Sequence, residues 1–140
     1  MDSNSSKLIL LIKNTEFEYG KNNEIDLFIK KIFKLYPLVA SNWLKDIFFN
    51  NLSEPFIIVG LLRIISRLNY NKMKLDGELI IEKSFLHSNI EVQECAIRVI
   101  ENWEHENGLK ILENNLKNIK SKWVKEYAKQ VIIDLKEDLS

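Results

Sequence analysis

The sequence predicts an all-α fold: one domain over residues 1–140, a short α-solenoid in which about six to eight helices stack in pairs. Three observations carry that expectation. The chain has 4 Gly and 2 Pro in 140 residues, too few for the many turns of an all-β domain or for glycine-rich phosphate loops. Apolar residues make up 46% of it and recur at helical spacing instead of alternating. That spacing then recurs along the chain, the mark of a repeat architecture.

Sliding the chain by about 35 residues lays 53–68 (SEPFIIVGLLRIISRL) onto 88–103 (SNIEVQECAIRVIENW), with Ser53/Ser88, Arg63/Arg98 and Ile65/Ile100 identical. A further shift of about 32 lays 88–103 onto 120–135, where Val92/Val124, Glu94/Glu126, Ala96/Ala128, Val99/Val131 and Ile100/Ile132 match. The apolar columns are Ile57, Leu61, Ile64, Ile65, Leu68, then Val92, Ala96, Val99, Ile100, Trp103, then Val124, Ala128, Val131, Ile132, Leu135. Each set falls on one face of a helix. Helix starts are marked by Ser53 with Pro55 two residues on, by Ser88 or Asn89, and by Ser121. Between these helices Asp76-Gly77 aligns with Asn107-Gly108, and each reads as a turn opening a second helix. The inward faces of those helices are Ile80, Ile81 and Phe85, or Ile111, Leu112, Leu116 and Ile119. The units therefore run 53–86 and 88–119, followed by a terminal helix over 121–138.

The first fifty residues carry the same texture in worse register. Ile25, Phe28, Ile29, Ile32, Phe33 and Tyr36 share one face of a helix over 24–36, which Pro37 ends because the residue before proline is pushed out of the helical region. A helix over 38–52 follows with Ala40, Leu44, Ile47, Phe48 and Leu52 inward, so 24–52 reads as a degenerate pair. Residues 8–12 read as a short cap helix and 14–23 as a loop. The apolar run 8–12 follows Asp2 and is shorter than the about 7–15 residues of a secretory signal core. The apolar stretch 55–62 is far below the about 20 residues of a membrane span. The expectation is a cytoplasmic protein with no membrane partner. One Cys excludes an internal disulfide and a Cys-only zinc site.

The segment LHSNIEVQECAIRVIEN, followed by a Gly turn and GLKILENNL, resembles a bacterial HEAT-like (armadillo-type) repeat, which reads roughly Asp-Pro-x-x-Val-Arg-x-x-Ala-x-x-Ala-Leu before its turn. Val92 and Ala96 match that pattern, as do Val124 and Ala128, while Ile57 and Leu61 substitute in the preceding unit. The Asp-Pro is replaced by Ser88-Asn89 or Lys120-Ser121, and the Arg by Ile58, Gln93 or Lys125. The resemblance covers 53–135, about three-fifths of the chain. It implies a right-handed superhelical stack with a concave binding surface, and no particular function. The repeat length also overlaps that of tetratricopeptide units, whose Trp-Leu-Gly-Tyr pattern is absent.

Residues that carry chemistry do not gather. His87 and His105 fall at helix boundaries, and Glu101 and Glu104 beside His105 lack the HExxH or paired ExxH spacing of a metal site, so both histidines read as solvated turn residues. Cys95 flanks the Ala96 column and reads as a small buried apolar residue, not a nucleophile. GxSxG, GxGxxG and P-loop motifs are absent. The expectation is no enzyme, no catalytic residues, no cofactor and no metal. Trp103 shares a column with Leu68 and Leu135 and reads as core, Trp43 is open between core and surface, and Trp123 aligns with Phe56 and Glu91 and is expected to be partly exposed.

The formal charge of zero, from 20 basic and 20 acidic residues, argues against nucleic acid or an anionic membrane as the partner, since both demand a basic surplus. It conceals two zones. Glu91, Glu94, Glu101, Glu104, Glu106 and Glu113 stand against Arg98 and Lys110, and Lys117, Lys120, Lys122, Lys125 and Lys129 stand against Glu126. The candidate partner-binding residues are Glu78, Glu82 and Lys83, then Glu113, Asn114 and Lys117, on the second helices of the units, with Glu101, Glu104 and Glu106 as an acidic strip and Trp123 as an aromatic contact. Small HEAT-type stacks include bacterial immunity proteins that sequester a toxin. The 17 Lys against 3 Arg, with abundant Asn and Ile, are the mixture that AT-rich codons produce, and AT-rich genes are frequent in mobile loci. The function expected by this analogy is a non-enzymatic protein-binding module, an immunity protein that neutralises a toxin domain, the acidic strip suiting a basic nuclease toxin. The alternatives are a general scaffold or adaptor and, from another class, a HEAT-like DNA glycosylase or a phycobilin-lyase-type enzyme. The three arginines supply the basic groove of a glycosylase poorly.

Overall fold

A computed structural model describes residues 2–14 and 24–140, and most of the loop expected over 14–23 lies outside the described residues. These residues form α1 (Asp2–Asn14), α2 (Glu24–Leu35), α3 (Ala40–Asn50), α4 (Pro55–Ser66), α5 (Tyr70–Phe85), α6 (Ile90–Trp103), α7 (Glu106–Asn115) and α8 (Lys122–Asp138), with a 3-10 turn at Leu116–Asn118. The fold is all-α, and among the described residues there is no strand. No described helix is long and apolar enough to cross a membrane.

The helices lie in two rows. α1, α4, α6 and α8 pack side by side in one, and α3, α5 and α7 in the other. Sequential neighbours, α3 with α4, α5 with α6 and α7 with α8, join the rows, while α2 packs on α1 and α3. Bonds between positions one repeat apart keep α4 and α6 in step. His87 Nε2 meets the Leu52 carbonyl at 2.9 Å, and Asn102 Nδ2 donates to the Ser66 carbonyl at 3.3 Å.

The inward columns explain the rows. Ile57, Leu61, Ile64 and Ile65 on α4, Val92, Ala96, Val99 and Ile100 on α6, and Val124, Ala128, Val131 and Leu135 on α8 are almost wholly buried. Only Leu68 of the predicted columns is left half-buried, at a position just beyond the end of α4. A buried glutamine then fixes the loops. Gln93 Nε2 donates to the Phe85 and Asn118 carbonyls, both at 2.8 Å, and its Oε1 accepts from the Lys120 backbone N–H at 3.1 Å. One side chain thus ties the end of α5 to the turn after α7, satisfying three backbone groups that burial would otherwise leave costly.

The structure departs from the sequence reading in four places. Asp76-Gly77 and Asn107-Gly108 are not turns: Gly77 lies inside α5 and Gly108 in the first turns of α7. Both glycines admit a close neighbour. A Cβ on Gly77 would stand 2.6 Å from Trp103 Cη2 and 2.8 Å from Met73 Cβ, and one on Gly108 would stand 3.3 Å from Ile100 Cγ2. Second, the helix beginning near residue 8 extends back to Asp2, and α1, not α2, takes the row position beside α4, burying Leu8 and Ile12 completely. Gly60 makes that contact possible, because a Cβ there would lie 2.5 Å from Ile12 Cγ2.

Third, α2 ends at Leu35, so Tyr36 is exposed instead of facing inward. Fourth, neither Ser53 nor Ser121 caps a helix through its side chain: Glu54 is the N-cap of α4, with Pro55 first in the helix, and Ser121 is the N-cap of α8 without a side-chain bond. Among the described residues the side-chain caps are Asn69, whose Oδ1 accepts from Lys72 N at 3.1 Å, Asn89, which accepts from Val92 N at 3.1 Å, and His105, whose Nδ1 accepts from Asn107 N at 3.0 Å.

Candidate protein-binding face

The solvent side of the α3–α5–α7 row changes character from one helix to the next. On α5, Ile80, Ile81 and Phe85 take the core face, which turns Leu75, Leu79 and Leu86 outward, Leu75 to 65% exposure. On α3 the outward apolar residues are Phe49 and the N-cap residue Val39. α7 presents Glu106, Lys110, Glu113, Asn114 and then Lys117, with no exposed large apolar side chain. Two adjacent helices of the row thus expose apolar side chains, and the third exposes only polar ones.

Backbone strain sits beside Leu75. Lys74 adopts φ 43°, ψ −128°, a conformation that favours glycine, and breaks α5 into a short first turn and a longer second part. Immediately after it comes exposed Leu75, and immediately before it Met73 is buried.

A polar clamp joins α5 to α7 beneath this face. The Tyr70 hydroxyl donates to Glu78, and Asn107 Nδ2 donates to the Tyr70 hydroxyl oxygen at 3.0 Å and to Glu78 Oε2 at 3.1 Å. The bond to Glu78 holds the Tyr70 phenol above its ordinary value, with burial adding to the rise and Asn107 opposing it. The Tyr70 ring stacks on His105 at 3.7 Å between centroids and meets Trp103 edge-on at 5.4 Å.

The ten sequence-predicted partner residues do not form one site. Glu78, Glu82, Lys83, Glu113, Asn114 and Lys117 belong to the α5–α7 side, but three of them are engaged within the fold. Glu78 is in the clamp, Glu82 accepts from Asn115 Nδ2 at 3.2 Å, and Glu113 pairs with Lys136 at 3.2 Å. Lys83, Asn114 and Lys117 are exposed. Glu101, Glu104 and Glu106 lie at the α6–α7 corner, where Glu101 accepts from the Tyr127 hydroxyl at 2.7 Å and Glu106 pairs with Lys110 at 3.1 Å. Trp123, at the start of α8, is 58% exposed. Leu75, Leu79, Leu86 and Phe49 escaped the sequence reading. Their one signal was the Leu75/Leu79 pair, four residues apart and out of phase with Ile80 and Ile81.

The other chemistry-bearing residues are placed inside the fold. The two histidines are half-buried, not solvated: His87 Nδ1 accepts from Asn89 N at 3.1 Å while its Nε2 meets the Leu52 carbonyl, and His105 caps α7. Cys95 is buried, and that burial holds its thiol above the ordinary value. Trp43 is core, its Nε1 donating to Ser5 Oγ at 2.7 Å. Among the described residues no three His, Cys, Asp or Glu side chains are placed to hold a metal ion. No protein-family model, no curated protein and no solved structure matches this chain.

Proposed function

We propose that this protein is a non-enzymatic protein-binding module, a short HEAT-like α-solenoid with the α3–α5–α7 row as its binding face, and in its specific form an immunity protein that sequesters a basic toxin domain. The observation that carries the binding reading is the outward apolar set Leu75, Leu79 and Leu86 with Phe49 on the neighbouring helix. Leu75 and Leu86 are the most exposed of them, while Phe49 also meets the buried Phe48 ring edge-on, and exposure of such a set on a folded surface favours a contact partner. The exposed charged residues Glu82 and Lys83 on the same helix supply the rim that orients a partner. The toxin form rests on the resemblance of the repeats and on the acidic strip Glu101, Glu104 and Glu106.

The test is capture from lysate of the native cell by the wild-type protein and by Leu75→Asp/Leu79→Asp, with circular dichroism to establish that both fold. One stoichiometric protein, held by the wild type and lost by the variant, is the expected result. Equal capture by both removes the face. The captured protein is then expressed alone and with this chain. Growth arrest that co-expression relieves is expected of the immunity form, and unimpaired growth in both cases leaves the scaffold reading.

A further inference from the structure

The turn between α2 and α3 exposes apolar side chains in an unbroken run. Leu35 is 57% exposed, Tyr36 42% and Leu38 94%, the last being the highest value among the large apolar residues described, and Pro37 between them is exposed as well. The backbone of this turn is fixed. Tyr36 N donates to the Ile32 carbonyl at 2.8 Å, and Val39 N and Ala40 N donate to the Tyr36 carbonyl at 3.2 and 3.0 Å. Phe33 before the turn and Ala40 after it are buried, which anchors both of its ends in the core. Leu38 is thereby held out in water, at a free-energy cost that burial against an apolar phase would remove.

Lysines surround this tip. Lys30, Lys31 and Lys34 on the last two turns of α2 are exposed, and among the described residues none of the three makes an ion pair. From α5, Lys72 reaches over the Phe33 ring, its Nζ 5.5 Å from the centroid. Two carboxylates of these elements are engaged. Asp26 pairs with Arg67, and Asp76 pairs with Lys45 at 3.3 Å and accepts from Ser41 Oγ at 2.7 Å. A groove of about 390 Å³ between α1 and α2 reaches the same turn. It shares Leu35 and Tyr36 with the tip, continues over Leu27 and Phe28, and carries Lys7 and Lys31 on its walls against one carboxylate, Glu24. Lys7 Nζ lies 4.9 Å from the Phe28 ring centroid, so an ammonium again stands over an apolar floor.

We propose that this tip docks on an anionic lipid bilayer, with Leu35, Tyr36 and Leu38 in the headgroup boundary and Lys30, Lys31, Lys34 and Lys72 against the headgroups. A protruding side chain almost wholly in water suits a fluid that closes around it, whereas a protein contact buries a broader patch on each side. The charges beside the tip are all lysines, compact point charges that suit scattered headgroups, with no arginine fork for bidentate pairing. The zero formal charge belongs to the whole chain. Headgroup attraction is screened over about 10 Å at about 0.1 M salt and therefore reads only the local surplus. The tip shares no residue with Leu75, Leu79, Leu86 and Phe49, so the lipid contact and the protein contact stand or fall separately.

The experiment is flotation of the purified protein with vesicles of phosphatidylcholine alone or of equal parts phosphatidylcholine and phosphatidylglycerol. At low salt the wild type is expected to float with the anionic vesicles about tenfold more than with the neutral ones, and to be released at about 0.5 M salt. Leu35→Ser/Leu38→Ser and Lys30→Gln/Lys31→Gln/Lys34→Gln are each expected to lose at least about tenfold in binding, with circular dichroism establishing that both fold. Leu75→Asp/Leu79→Asp is expected to float as the wild type does. Because Cys95 is buried, a polarity-sensitive dye attaches selectively to Leu38→Cys. Its emission should shift to the blue on anionic vesicles, and that of the same dye at Lys129→Cys on α8 should not. Absence of flotation, equal flotation on neutral vesicles, tip variants that float as the wild type does, or a Leu38 dye that stays in water would overturn the proposal. If vesicles are not bound and the tip variant instead loses a protein that the wild type captures, the tip is a protein contact and the lipid reading fails.

Discussion

α5 and α7 occupy successive places in the same row, pack on the same helix α6, and carry corresponding glycines, yet their solvent faces differ. α5 is broken at Lys74 and shows Leu75, Leu79 and Leu86 to water, whereas α7 is regular and shows only polar side chains. Toward the core the two are alike: Ile80, Ile81 and Phe85 match Ile111 and Leu112 in being buried. The fold therefore constrains the inward half of each helix and leaves the outward half free. Folding does not demand a departure from polarity on the free half, and a cluster of apolar side chains there favours a contact.

A large effect is expected where the two helices share an anchor. Gln93→Leu leaves the Phe85 and Asn118 carbonyls and the Lys120 N–H without their partner, and should lower unfolding free energy in urea by about 2–4 kcal/mol. The glycines come next and separate the helices. Gly77→Ala puts a methyl against the Trp103 ring and the Met73 Cβ and should cost about 1–3 kcal/mol. Gly108→Ala meets only the end of Ile100, and the gain in helix propensity should hold the change to under about 1 kcal/mol. Equal costs at the two positions would mean that α5 and α7 are held at the same distance from α6.

Smaller changes follow. Tyr70→Phe removes the hydroxyl from the α5–α7 clamp and should cost about 1 kcal/mol at neutral pH. Because the folded phenol is held above its ordinary value, that contribution is present below the unfolded value and is lost as pH rises through the folded one. The wild type and the variant should then converge in alkaline urea titrations. Lys74→Gly relieves the φ 43° strain against a looser unfolded chain, for a net gain of about 0.5–1 kcal/mol. A loss would show that the bend in α5 is set elsewhere.

The legible part of this molecule was the part where one physical requirement selects one residue pattern. Val92, Ala96, Val99 and Ile100 read as a buried helical face because apolar residues at that spacing have no better place to go. Gly77 and Gly108 were misread because glycine meets two needs, left-handed freedom and absence of a Cβ, and only the three-dimensional neighbours Trp103 and Ile100 decide between them. α1 was shortened because its first turns are Ser- and Asn-rich, while the residues that seat it, Leu8 and Ile12, meet Gly60 across the sequence. The outward leucines of α5 were hidden for a related reason. Apolar residues on several sides of a helix signal deep burial as readily as an exposed patch, and α5 has neighbours on too few sides to bury them.

A prediction with a small effect on folding bears most on function. Leu75→Ser and Leu79→Ser, together, remove two outward side chains from α5 and should change unfolding free energy by no more than about 1 kcal/mol, as for two exposed positions. Ile80→Ala, one residue away on the inward face, should cost about 2–5 kcal/mol. That contrast tests the division of α5 into two faces, by urea unfolding alone and without knowledge of any partner. If the serine pair costs as much as Ile80→Ala, the leucines support the fold and the argument for a binding face fails. If the pair is neutral for stability and partner capture disappears, the same two residues separate what holds α5 in place from what α5 presents.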